Sequence, residues 1–187
     1  VAKVHLLKGR VALAGGDIAT ADKLLRSASS KTAGHHSYHA GVAVDAAIQH
    51  RQWDLADQML LLYEKASYQK GGKKLTGKKL KEAKADDYDR FLRKMKIALG
   101  RGEDAKDNKA KQRYGAEILD EKEGLLEQAL SSNTPGNARR VLNTLKGNTM
   151  IMMGKAKEAK SHYESWLGNE PKLMATPVVA EALGRLG

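Results

Sequence analysis

Ala14-Gly15-Gly16-Asp17-Ile18-Ala19-Thr20-Ala21-Asp22-Lys23-Leu24-Leu25-Arg26-Ser27-Ala28 is the stretch whose reading decides the fold. Ahead of it, Val4, Leu7, Val11 and Ala14 recur every three or four residues, the period of an amphipathic helix. Behind the glycines, Ile18, Ala21, Leu24, Leu25 and Ala28 keep the same period. Between them a glycine can take the left-handed conformation that ends a helix, and the Asp17 side chain can cap the next one. The stretch therefore predicts a helical hairpin, two short helices joined by a tight turn.

The same plan recurs twice. Ala40 to Ile48 is followed by a break near Arg51-Gln52, then by Trp53, Ala56, Leu60 and Tyr63. Val141, Leu145, Thr149 and Met152 lead to Gly154, after which come Ala156, Ala159, Tyr163 and Trp166. The alanines after the turns, Ala21 and Ala56, lie 35 positions apart, and Ala159 lies 138 after Ala21, close to four periods of ~34 residues. In this respect the chain resembles the tetratricopeptide repeat family. The last repeat matches at Lys146-Gly147, Met150, Gly154, Ala159, Tyr163 and Pro171; the first matches at Gly9, Gly16, Ala21, Leu25 and Ala28. The second keeps Ala56, Leu60 and Tyr63 but has Val44 at the usual glycine position. Small residues at Gly9, Ala21, Gly147 and Ala159 would let paired helices approach closely, with Leu25 and Tyr163 filling the space between repeats. The resemblance implies an all-α fold, a right-handed superhelix (α-solenoid) of roughly four or five antiparallel hairpins. Residues 1–187 would then form one domain. Residues 1–67 hold two repeats, 68–133 an irregular basic centre, 134–171 a regular repeat and 172–187 a capping helix starting near Thr176-Pro177.

Composition agrees with helices. Only 5 % of residues are aromatic and there are three prolines, so a core of Ala, Leu, Met and Val can pack in uninterrupted helices. With no cysteine, disulfides, thiolate catalysis and thiolate metal sites are excluded, while the compartment and oligomeric state stay open. No apolar run reaches the ~18–20 residues of a membrane span, and the first residues carry no signal-peptide pattern. A start without Met, in mid-helical rhythm, is what a processed form or a piece of something longer would show.

The centre departs from the repeat pattern. Residues 76–99 read as one long helix ended by Gly100-Arg101-Gly102, and Glu103 to Leu130 as another, with Gly115 a place for an interruption. Ser131 to Pro135 reads as a linker, with Thr134 capping and Pro135 at the first helical position. Residues 67–115 hold 16 Lys/Arg against seven Asp/Glu, a net +9 out of the whole chain's +11. Lys70, Lys73, Lys74, Lys78, Lys79, Lys81 and Lys84 crowd into fifteen positions, and Tyr68, Tyr88 and Tyr114 are near in sequence. A basic patch of Lys73, Lys74, Lys78, Lys79 and Lys81 can meet phosphates or an acidic protein, and tyrosines can stack on bases. The plainer reading is a solvated, charged loop. Gly72-Lys73-Lys74-Leu75-Thr76-Gly77-Lys78 has phosphate-loop spacing, but Lys79 follows where magnesium binding wants Ser or Thr. That reading is discarded.

His35, His36 and His39 cluster at the entry to the third helix, but without a fourth ligand they suit a helix cap or packing on Tyr38 better than a metal, so no metal or cofactor is expected. Met150, Met152 and Met153 fit core packing, or a mouldable groove. No nucleophile with a base, and no paired carboxylates, can be argued from spacing, so no enzyme is expected. The resemblance implies instead a concave face lined by each hairpin's first helix. It would carry Lys3, Leu6, Arg10 and Leu13, then Tyr38, Val42, Asp45 and Gln49, and finally Val141, Leu145, Asn148 and Met152. Members that clamp a C-terminal carboxylate use Lys, Asn and Arg there; only Arg10 and Asn148 resemble that set. A mixed groove for a peptide or helix of another protein is the expectation, with RNA or ribonucleoprotein binding through residues 70–84 as the alternative.

Overall fold

Three turns of one geometry organise the helices. Gly16 has φ +79° and Gly154 φ +77°, and Arg51 takes the same left-handed conformation at φ 55°. Around Gly16, its own N–H donates to Leu13 O at 3.0 Å and the Asp17 N–H to Ala12 O at 2.9 Å. The same pair of bonds closes the other two turns, Arg51 to Ile48 and Gln52 to Ala47, then Gly154 to Ile151 and Lys155 to Met150. These are Schellman turns, which satisfy the orphan carbonyls at a helix end and reverse the chain. Glycine adopts φ > 0 freely; Arg51 does so against the clash of its Cβ.

The computed structural model describes residues 1–30, 36–70, 73–169 and 184. The chain divides into two compact units, Val1–Arg93 and Lys94–Gly187. The first holds α1 (Ala2–Ala14), α2 (Ile18–Ser30), α3 (His36–Gln49), α4 (Trp53–Ser67), β1 (Gln69–Lys70), β2 (Lys73–Lys74), α5 (Gly77–Ala85) and the start of α6 (Tyr88–Asp104). The second holds the rest of α6, then α7 (Asn108–Leu119), α8 (Leu125–Leu130), α9 (Ala138–Met152) and α10 (Ala156–Asn169). The protein is all-helical apart from the two-residue antiparallel β1–β2 pair, the only strands among the described residues. None of the described helices is long and apolar enough to cross a membrane. The expected capping helix over 172–187, with Pro171 and Thr176-Pro177, lies outside the described residues.

In the first unit α1 packs on α2 and α3, α2 on α3 and α4, and α3 on α4, so each helix touches its neighbour in the chain and the next but one. Ala21, Leu25, Ala28, Ala43, Val44, Ala47, Ala56 and Met59 are wholly buried there. Gly9 explains the close approach of α1 and α2: a Cβ on it would stand 2.8 Å from Leu25 Cδ2. In the second unit α9 pairs with α10 and α7, and α7 also with α8. Gly147 lies against the Tyr163 ring, with no room for any side chain. Leu25 and Tyr163 each fill the notch of their own hairpin, sixteen positions after its glycine.

The centre corrects several expectations. The helix expected over 76–99 breaks at Asp86-Asp87, because the Asp87 carboxylate accepts the Arg90 N–H at 3.0 Å and starts a new helix. Gly100-Arg101-Gly102 does not end it, and α6 runs to Asp104. Gly102 is kept small by Met152, whose Sδ would lie 2.6 Å from a Cβ there. The helix expected over Glu103 to Leu130 is two. Asp107 caps α7 by accepting from Ala110 N at 2.7 Å, and Asp120 accepts from Lys122 N and Glu123 N in the turn before α8. Gly115 interrupts nothing; it is buried within α7 beneath Met153. Thr134 caps no following helix: its hydroxyl donates to Ala129 O at the end of α8, and α9 begins three residues after Pro135.

Replacing Gly147 with Leu should overpack the α9–α10 contact and cost about 1–3 kcal/mol or more. In a chain of this size each kcal/mol is roughly 2–4 °C of Tm. Gly168→Ala, on α10 with open space around its Cα, should leave Tm unchanged or raise it. Thermal unfolding of both variants followed by circular dichroism tests this, and an unchanged Tm for Gly147→Leu would remove the close-approach account.

Candidate interaction surfaces

The basic segment leaves α4 through a short reversal. Gln69 pairs with Lys74 and Lys70 with Lys73, and the Leu75 N–H donates to Tyr68 O at 2.9 Å. Gly77, at φ 56°, then turns the chain into α5. Lys73, Lys74, Lys78, Lys79 and Lys81 are all exposed. Lys78 faces Glu82 at 3.7 Å, but both side chains are more than half exposed, and such a pair stabilises little.

What holds this segment is a half-buried acidic anchor. Asp87 Oδ2 accepts the Tyr68 hydroxyl at 2.9 Å, and Oδ1 accepts the Tyr63 hydroxyl at 3.1 Å as well as the Arg90 N–H. Beside it, Glu64 accepts Arg90 Nε at 2.5 Å and lies 3.8 Å from Lys84 Nζ. Lys84 stands 5.7 Å over the Tyr68 ring. Three residues after Arg90, Arg93 grips Asp45 of α3 with Nε and Nη2, at 3.0 and 3.1 Å, and its guanidinium lies 4.7 Å over the Tyr63 ring. A hollow of about 240 Å3 remains between Leu61, Tyr68, Leu75, Lys74, Glu64 and Lys84. Burial, then the Asp87 charge, pushes the Tyr63 hydroxyl up to about 12 and the Tyr68 hydroxyl higher still.

The tyrosines expected to stack on bases are therefore engaged elsewhere. Tyr68 and Tyr88 are buried, and Tyr114 is half-buried under Arg113 at 4.7 Å. On the expected concave face, Arg10, Tyr38 and Gln49 are exposed, with Tyr38 edge-on to His39. Asp45 is exposed yet held by Arg93. Asn148 is half-buried, its Oδ1 accepting the Tyr163 hydroxyl at 2.9 Å. Leu13 and Met152 are core residues, at 3 % and 8 % exposure, and present nothing to a partner. Met152 and Met153 fill the notches at Gly102 and Gly115, so these two methionines pack inside their unit. His35 lies outside the described residues, and among those described no group of His, Asp and Glu is placed to hold a metal ion. A second hollow, about 810 Å3, opens at the start of α9 between Leu130, Pro135, Asn137, Arg139, Arg140 and Val141. Asp87 and Arg93 are the residues that sequence reading passed over. The signal was the Asp86-Asp87 pair inside a lysine-rich run, where a carboxylate suits a helix start.

Because both tyrosine hydroxyls hold their protons more tightly in the folded chain than in the unfolded one, the stability they contribute is complete below about pH 10. It is lost as pH climbs towards 12. Urea unfolding at about pH 9 and about pH 11.5 should show a steeper loss in the native chain than in a Tyr63→Phe/Tyr68→Phe variant. Parallel losses would mean that the Asp87 cluster does not form.

Compared with family models, curated proteins and solved structures, the chain matches none of them.

Proposed function

We propose that this chain is a helical-repeat scaffold of tetratricopeptide type, in which stacked hairpins form a right-handed superhelix and hold a peptide or helix of a partner protein. The reading is supported above all by the identical turns at Gly16, Arg51 and Gly154, each followed five residues later by a wholly buried alanine. A unit repeated at fixed geometry buries its apolar face only by stacking on the next, which leaves an extended surface for binding. On that surface the exposed first-helix residues Arg10, Tyr38 and Gln49 would contact the partner. Preformed helices lose little conformational entropy on docking a segment, which preserves affinity. No step of chemistry is needed. Pulldown from native lysate, with and without nuclease and at low and moderate salt, tests the reading. A protein captured under all four conditions, and lost with Arg10→Glu/Tyr38→Ala, is the expected result; capture that vanishes with nuclease would count against it.

A second reading is favoured by one observation, the exposure of five lysines beside an acidic anchor that is occupied by its own tyrosines and arginine. Polyanion binding through Lys73, Lys74, Lys78, Lys79 and Lys81 would fall steeply between roughly 50 and 200 mM salt. Replacing Lys73, Lys74, Lys78 and Lys79 by Gln should leave Tm within about 1 °C, since surface changes shift stability little. It should weaken retention on heparin or RNA by about ten-fold or more. Undiminished retention would dispose of the lysine patch.

A further inference from the structure

The first helix is apolar on two opposite sides. Ala2, Leu6, Gly9 and Leu13 are buried against the rest of the unit, and His5 Nδ1 meets Ser27 Oγ at 2.9 Å to fix α1 on α2. Half a turn away, Val4, Leu7 and Val11 stand 51, 52 and 72 % exposed, with exposed Ala14 continuing the row. α3, with α1 and α2 packed against it, shows the contrast: His39, Val42 and Ala46, 35 positions after Val4, Leu7 and Val11, are half-buried or buried.

The spacing says what covers this row. Val4, Leu7, Val11 and Ala14 fall at alternate steps of three and four, so they occupy a, d, a and d of two heptads, with β-branched residues at a and Leu at the first d. Lys3 and Arg10 are then at g and Lys8 at e, all exposed, and α1 contains no acidic residue. In a heptad seam, the e and g charges choose the partner. A second copy of α1 would set basic against basic. We infer that the outer face of α1 docks an amphipathic helix of a partner protein whose a and d positions are apolar and whose flanking e and g positions are Glu or Asp. This face lies opposite the core side of α1; it shares Lys3 and Arg10 with the groove reading above, while Val4, Leu7 and Val11 belong to it alone.

The test uses the full chain and two synthetic peptides of about three heptads, both with Val at a and Leu at d, one with Glu and one with Lys at e and g. Fluorescence anisotropy should show the Glu peptide binding at least about ten-fold more tightly than the Lys peptide. Leu7→Lys/Val11→Lys should abolish that binding while the helical circular dichroism is retained, both residues being exposed. Lys3→Glu/Lys8→Glu/Arg10→Glu should reverse the preference, so that the Lys peptide binds better. The inference fails if the two peptides bind alike, or if the Glu peptide binds the Leu7→Lys/Val11→Lys chain as well as the native one. It fails equally if neither peptide binds. In that case sedimentation showing self-association lost in Leu7→Lys/Val11→Lys would assign the face to a second copy, and binding to phosphatidylserine-containing vesicles would assign it to an anionic membrane.

Discussion

Helices in this protein approach as closely as they do because side chains are missing where they meet. At Gly147 the Tyr163 ring occupies the space that any Cβ would need, and at Gly9 the Leu25 methyl group does the same. Interiors are close-packed, so such a notch and its filler are fixed together; a larger residue on one side has nowhere to go. The Schellman turn that precedes each filler sets the two helices antiparallel in the matching register. Arg51 shows how strongly that turn is imposed. The hairpin keeps a left-handed residue there although an arginine must adopt it, with its guanidinium 5.4 Å from the Trp53 ring.

Polar chemistry organises the stretch where the repeat pattern fades. Asp87 is at once an N-cap and the acceptor for two tyrosine hydroxyls, so one carboxylate starts α6 and ties it to the end of α4. Hydrogen bonds to a charged group inside a partly buried site are worth about 1.5–3 kcal/mol each, more than the exposed ion pairs nearby. Lys73, Lys74, Lys78, Lys79 and Lys81 hang from this anchor without contributing to it, whereas Lys84 joins it beside Glu64 and Tyr68. Their charge is thus free to act outward, which is a statement about association and not about the fold.

The surfaces divide by what they have already spent. Leu13 and Met152 were expected to face a partner, but each fills its own unit, and Asn148 serves the Tyr163 hydroxyl. The outer row of α1 is the reverse case, large apolar side chains that are half or more exposed. Contiguous apolar exposure on a helix, rimmed by like charges, is a recognised mark of an interface.

The sequence alone determined the helical class, the turns at Gly16 and Gly154, the break near Arg51 and the small residues where paired helices meet, because these follow from local periodicity and glycine's backbone freedom. Gly9, Ala21, Gly147 and Ala159 were legible as contact points for that reason. Tertiary structure decided the centre. Whether Gly102 or Gly115 breaks a helix depends on Met152 and Met153, which come from α9 and its turn far along the chain. Whether Asp87 starts a helix or merely continues one depends on tyrosines nineteen and twenty-four residues away. Local preference at such positions is nearly neutral, and contacts distant in sequence settle it.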